Sequence, residues 1–170
     1  MKKILLLSLS LITLISCEKT PTDGCTDPLA INYNRHANID NNSCDFKADI
    51  IFYLDQAAGI YLYNEGVEKL TFEINVNGSV DNNGDPVWDE RGTQYNNGGF
   101  YTSETPPNCF DNFFTTYSEY WSNNSYTSIS WRAIDEAGFV WYENTTILEG
   151  SECLPMELSA NKLTVYQENN

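Results

Sequence analysis

Histidine and positive charge are scarce in this chain. His36 stands alone, and nine Lys and Arg face 24 Asp and Glu, for a net charge of −15. Any Ser-His-Asp relay or imidazole base would have to run through His36, which lies in an Asn-rich stretch with no apolar walls to tune it. A surface histidine accounts for it better. The carboxylate excess repels phosphate backbones and argues against nucleic acid as a partner. No Cys-x-x-Cys spacing occurs, so the five cysteines do not read as a zinc site. Helical periodicity of 3.6 is missing throughout, and abundant Asn, Thr and aromatic residues disfavour long helices. A single helical turn is allowed for in Asn112 to Trp121.

Long apolar runs are also scarce. The one that stands out, Ile4 to Ile15, is shorter than the ~20 residues needed to span a bilayer. It follows Lys2 and Lys3 and ends on a small residue, Ser16, which together make a secretory signal. Its ending, Leu14-Ile15-Ser16-Cys17, resembles the lipobox of bacterial lipoproteins. That resemblance implies a signal over residues 1–16, cleavage before Cys17, and a lipid thioether at Cys17. The mature protein would be held to the lipid bilayer of the bacterial cell envelope, at the outer membrane or cell surface. Loss of both signal lysines would leave seven basic residues and a charge near −17.

With Cys17 lipidated, Cys25, Cys44, Cys109 and Cys153 form an even set for an oxidising compartment. Three connectivities are open. Pairing Cys25 with Cys44 and Cys109 with Cys153 is favoured, because each pair flanks a segment of distinct composition. Residues 17–23 read as a lipidated tether. Residues 24–46 are dense in Asn and Asp and hold Pro28, so they read as a loop-rich unit. They resemble a cysteine-bracketed repeat of secreted bacterial surface proteins, GCTDP-x-A-x-NYNP-x-A-x-x-DDGSC. The match rests on Gly24 to Pro28, Ala30, Asn32 to Asn34, Ala37, Asp40, Ser43 and Cys44. It departs at Arg35, Asn41 and Asn42.

Residues 47–170 read as a β-domain. In Val67 to Val76, Leu70, Phe72, Ile74 and Val76 alternate with polar residues, the period of a half-buried antiparallel strand. Ile50 to Asp55 is a second strand. Tyr126 to Ile134 and Phe139 to Leu148 form a hairpin across Asp135 to Gly138. Pro155 to Val165 supplies further strand. Short strands separated by turn signals predict an all-β sandwich. Short motifs, among them Asn75 to Gly78, Pro107 to Cys109 and Gly150 to Cys153, resemble those of lipoproteins that follow the repeat with a small β-domain. That resemblance implies an immunoglobulin-like or transthyretin-like sandwich.

Three constellations bear on chemistry. Asp27, Asn34, Asn38 and Asp40 offer oxygen ligands for calcium in one loop, although Asx turn caps account for them better. Carboxylate pairs such as Glu136 with Glu143, or Asp85 with Asp89, arise by chance in so acidic a chain and are weak glycosidase candidates. Among the aromatics, Trp131 shares a strand face with Ile129 and Ala133 and reads as core. Tyr120 and Trp121 sit in a polar setting and are the surface candidates for a protein or glycan ligand. The reading that follows is a non-enzymatic, lipid-anchored module for binding or adhesion. An accessory carbohydrate-binding unit or small envelope hydrolase is the alternative.

Overall fold

The computed structural model describes residues 20–163, so the signal run, Cys17 and Val165 lie outside the described residues. A short parallel pair comes first, β1 (Asp23–Gly24) with β2 (Ile39–Asp40). Then follow β3 (Asp45–Leu54), α1 (Gln56–Asn64), β4 (Lys69–Val76), β5 (Asp89–Tyr95) and β6 (Thr115–Ser122). The chain continues through β7 (Tyr126–Ile134), β8 (Val140–Glu149), β9 (Cys153–Leu158) and a 3-10 turn at Ala160–Lys162. The architecture is an all-β sandwich. One sheet has the order β6-β3-β9 and the other β5-β4-β7-β8. β3 runs antiparallel to β6 and parallel to β9. In the constant-type immunoglobulin layout the first two strands share a sheet. Here β3 and β4 lie in different sheets. The strand order therefore departs from that immunoglobulin layout.

Alternation places the core. Leu70, Phe72 and Ile74 of β4 are fully buried, and Val76 packs at its margin. Phe52 stacks on Phe72 with centroids 4.6 Å apart and meets Trp131 at 5.2 Å. Trp131 is therefore core, as its strand face requires. The turn between β7 and β8 uses Gly138 at φ 82°, and Asp135 Oδ1 accepts from the amides of Ala137 and Phe139.

Two elements correct the sequence expectation. Asn112 to Trp121 is mostly strand rather than helix: a turn at Asn112 and Phe113 leads into β6, which begins at Thr115 and is paired along its length with β3. A helix stands instead at Gln56–Asn64, capped by Asp55, whose Oδ1 accepts from Ala58 N at 2.6 Å. Only Ala58, Gly59 and Leu62 of this helix are buried, so its apolar stripe is too short to give a periodic signal. Asp55 Oδ2 also accepts from Ala160 N, tying the helix start to the end of the last strand.

The disulfides join Cys25 to Cys44 and Cys109 to Cys153. The first closes a loop with its own small core of Cys25, Ala30, Cys44 and Phe46, against which Leu29 and Trp121 pack. This loop docks on the sandwich at the β8–β9 turn. Ser151 Oγ donates to Leu29 O, and a Cβ on Gly150 would lie 2.6 Å from Phe46 Cδ1 and 2.9 Å from Leu29 O. Glycine is thus required there by close approach rather than by φ.

Chain entropy makes the two bridges unequal. Replacing Cys25 and Cys44 together by Ser should lower unfolding free energy by about 3 kcal/mol, and replacing Cys109 and Cys153 by about 4 kcal/mol. Urea titration checks the order. Gly150→Ala should raise proteolytic cleavage within residues 25–44 under oxidising conditions, and unchanged cleavage would contradict the docking.

Candidate functional site

The Asn and Asp residues of the first loop are engaged in turns. Asp27 Oδ1 accepts from Leu29 N, Asn34 Oδ1 from His36 N, and Asp40 Oδ1 from Asn42 N. Asn38 Oδ1 accepts from Thr22 N, and Asp40 Oδ2 from Thr26 Oγ1. These bonds explain the density of short polar side chains as local capping. Among the described residues no group of three or more His, Cys, Asp or Glu side chains comes together. His36 is exposed and accepts from Arg35 Nε at its Nε2.

Tyr120 and Trp121 separate in role. Tyr120 is exposed, with Lys47 Nζ 5.9 Å from its ring centroid. Trp121 is half-buried: its ring stacks on Phe46 at 6.0 Å, and its Nε1 donates to Asn124 O at 2.6 Å. It packs against both the small core and the main one, and so joins the disulfide loop to the sandwich.

A different place gathers the groups expected of a binding surface. β5 and β6 are the outer strands of opposite sheets, and they approach closely at Gly92, where a Cβ would run into the Thr115 methyl. Residues 96–114 connect them, longer than the ~12–15 at which structureless loops become uncommon and usually functional. Several anchors hold this connection. Phe100 enters the core, Thr102 bridges to Leu54, Ser103 N donates to Leu54 O, and Cys109 is bonded to Cys153.

Between the connection and the two strands lies a groove of about 420 Å³. Tyr95, Tyr101, Phe113 and Phe114 line it. Tyr101 and Phe113 are paired with centroids 5.7 Å apart and an interplanar angle of 47°. They are 56% and 66% exposed, and neighbouring Phe110 is 82% exposed, so this aromatic surface faces solvent. Beneath it, Gln94 is only 5% exposed. Its Nε2 donates to Tyr101 O at 3.0 Å, which fixes the amide orientation, because a flipped amide would set two carbonyl oxygens together. Gln94 Oε1 is then buried with no hydrogen-bond partner among the described residues, and so is Thr116 Oγ1.

The charges nearby are already committed. Arg91 pairs with Asp89 at 2.9 Å and lies 5.0 Å over the Tyr117 ring. Burial pushes the Glu119 carboxyl above its usual range, a push eased by Arg91 and reinforced by Asp89.

Sequence reasoning did not find this groove. Its aromatics sit in a segment of Asn, Gly, Pro and Thr, where no strand period could bury them. That pattern, Asn96-Asn97-Gly98-Gly99-Phe100-Tyr101 followed by Phe110, Phe113 and Phe114, was the available signal. Comparison with protein-family models, curated proteins and solved structures finds no match to the chain.

Two outcomes follow. Trp121→Ala should destabilise the protein by about 2 kcal/mol or more and loosen residues 25–44 first, measured by urea unfolding and limited proteolysis. Glu119 carries a raised native pKa, so the folded chain holds this proton more tightly than the unfolded one, and stability falls as pH rises through that range. Glu119→Gln should therefore raise the melting temperature at pH 7, and the gain should vanish well below the ordinary glutamate value of 4.5.

Proposed function

We propose that the protein is a lipid-anchored surface module of the bacterial cell envelope that binds its target without transforming it, and that the β5–β6 groove is where it binds. One observation carries the reading. An anchored connection presents exposed Tyr101 and Phe113, paired ring to ring, on the lining of a groove between two edge strands. Contiguous exposed aromatic surface on a concave face is a feature of interaction sites. The groove and its rings together support a surface that takes a ligand.

The compartment is supported separately. Two disulfides in a small sandwich suit an oxidising environment, and the signal run and Leu14-Ile15-Ser16-Cys17 supply export and attachment. Two or more acyl chains suffice for stable membrane attachment. The acidic surface keeps the domain off anionic headgroups, so it would stand away from the bilayer on residues 17–23.

The test has two parts. Wild-type protein should sediment with membranes and incorporate labelled palmitate, whereas Cys17→Ser should do neither. Liposomes carrying the lipidated protein should be retained on a mixed bed of neutral polysaccharides and gelatin. Phe113→Ala should cut that retention at least tenfold without lowering the melting temperature, because the ring is mostly solvent-exposed. Membrane attachment of Cys17→Ser, or retention untouched by Phe113→Ala, would contradict the reading.

A further inference from the structure

We infer that Asn97 is a site of spontaneous covalent modification: its side chain closes onto the Gly98 nitrogen, loses ammonia and is hydrolysed to aspartate or isoaspartate. The step stands whatever the groove binds. The Gly98 nitrogen attacks Asn97 Cγ. An N–Cγ bond forms, the Cγ–Nδ2 bond breaks, and ammonia leaves with the proton that Gly98 gives up. Solvent water then opens the cyclic imide at either carbonyl. One opening leaves aspartate. The other leaves isoaspartate, whose main chain runs through the side-chain carbon and is longer by a methylene.

The attack favours a following residue with no Cβ to crowd the nitrogen. Asn77-Gly78, Asn83-Gly84 and Asn97-Gly98 all meet that need. It also needs a side-chain amide free to turn and a glycine N–H that is not already donating. Those two needs separate the three. Asn77 and Gly78 form the centre of a tight turn at φ 51° and 65°, closed by Ser79 N donating to Val76 O. Asn77 N donates to Ser128 O, and Asn77 Oδ1 accepts from Thr127 Oγ1 at 3.1 Å, so both its backbone and its side chain are held. In the second turn, Gly84 N donates to Asp81 O and Asn83 Nδ2 donates to Asp81 Oδ2. Nucleophile and leaving group are both engaged there.

Asn97 has neither restraint. It is exposed, and among the described residues neither its side chain nor the Gly98 N–H has a hydrogen-bond partner. Gly98 and Gly99 sit at φ 93° and 139°, and nothing lies within 4 Å of a Cβ placed on Gly98. The flanks, by contrast, are fixed. Asn96 donates to Glu68 O and Val67 O, and Phe100 is in the core. The unbonded step is thus a short arch between two held ends. Asn97 lines the groove beside Tyr95 and Tyr101, while Gly98 and Gly99 line a smaller cavity against α1. Conversion places a new carboxylate on the groove lining of a chain whose net charge is already −15.

The full chain should be incubated at mildly alkaline pH and followed by peptide mapping with mass spectrometry, with isoaspartate read by methyltransferase labelling. A reduced sample in urea supplies the unstructured reference rate for each Asn-Gly step. In the folded chain Asn97 should stay closest to its reference rate, whereas Asn77 and Asn83 should fall at least tenfold below theirs. Asn97→Gln should remove most of the isoaspartate label and leave the melting temperature unchanged, because the side chain has no partner to lose. Asn77 or Asn83 converting as readily as Asn97 relative to its reference would overturn the inference. So would an intact Asn97 in the folded chain after the reference has converted, or wild-type labelling in Asn97→Gln.

Discussion

Strand β3 is buried on both faces, and most of the molecule is arranged to make that possible. Ile50, Phe52 and Leu54 face the inter-sheet core, while Ile51 and Tyr53 between them are just as dry and lie outside that cluster. A strand buried on both sides needs a cover on each. The four-stranded sheet provides one. The other comes from the connection between β5 and β6: Phe114 meets Tyr53 edge-on at 6.4 Å, and Cys109 Sγ lies 3.5 Å from Asp49 O. Cys153 stands opposite Asp49 in the parallel β3–β9 register, so the disulfide fastens the cover to the neighbouring strand.

The groove is a by-product of that cover. The connection must pass from the edge of one sheet across to the outer face of the other, and Gly92 lets the two edge strands close up beneath it. Its aromatic residues divide between duties. Phe100 is consumed by the core and Phe114 by Tyr53, whereas Tyr101, Phe110 and Phe113 are left in solvent. The same covering segment that stabilises β3 thereby supplies the exposed rings, and the disulfide that holds it also fixes that surface in place.

Much of the sandwich was legible because strand alternation writes burial directly into sequence. β4 and the β7–β8 hairpin show it, with Gly138 marking the turn. The disulfide pairing followed from segment composition. The first loop's turn chemistry was legible too, since Asp27, Asn34 and Asp40 cap residues two positions on. Three features were hidden for distinct reasons. α1 depends on the Asp55 cap and on contacts made by Ala58 and Leu62, which are too few to set a period. β5 reads as a polar segment, Asp-Glu-Arg-Gly-Thr-Gln-Tyr, and becomes a strand only because β4 offers its edge. The groove joins residues from two sheets and a long connection, so no local pattern contains it. Trp121 shows the converse: a polar sequence setting suggested exposure, but the tertiary contact with Phe46 turned it into a joint.

The central claim is that the 96–114 connection, fastened by Cys109–Cys153, seals the outer face of β3. Hydrogen–deuterium exchange of the Cys109→Ala, Cys153→Ala double variant measures this most directly. The account predicts faster exchange confined to residues 96–114, β6, β9 and β3, with the amides of β4 and β7 keeping their wild-type protection below the unfolding transition. Protection of β3 unchanged in that variant, or lost in equal measure across both sheets, would contradict it.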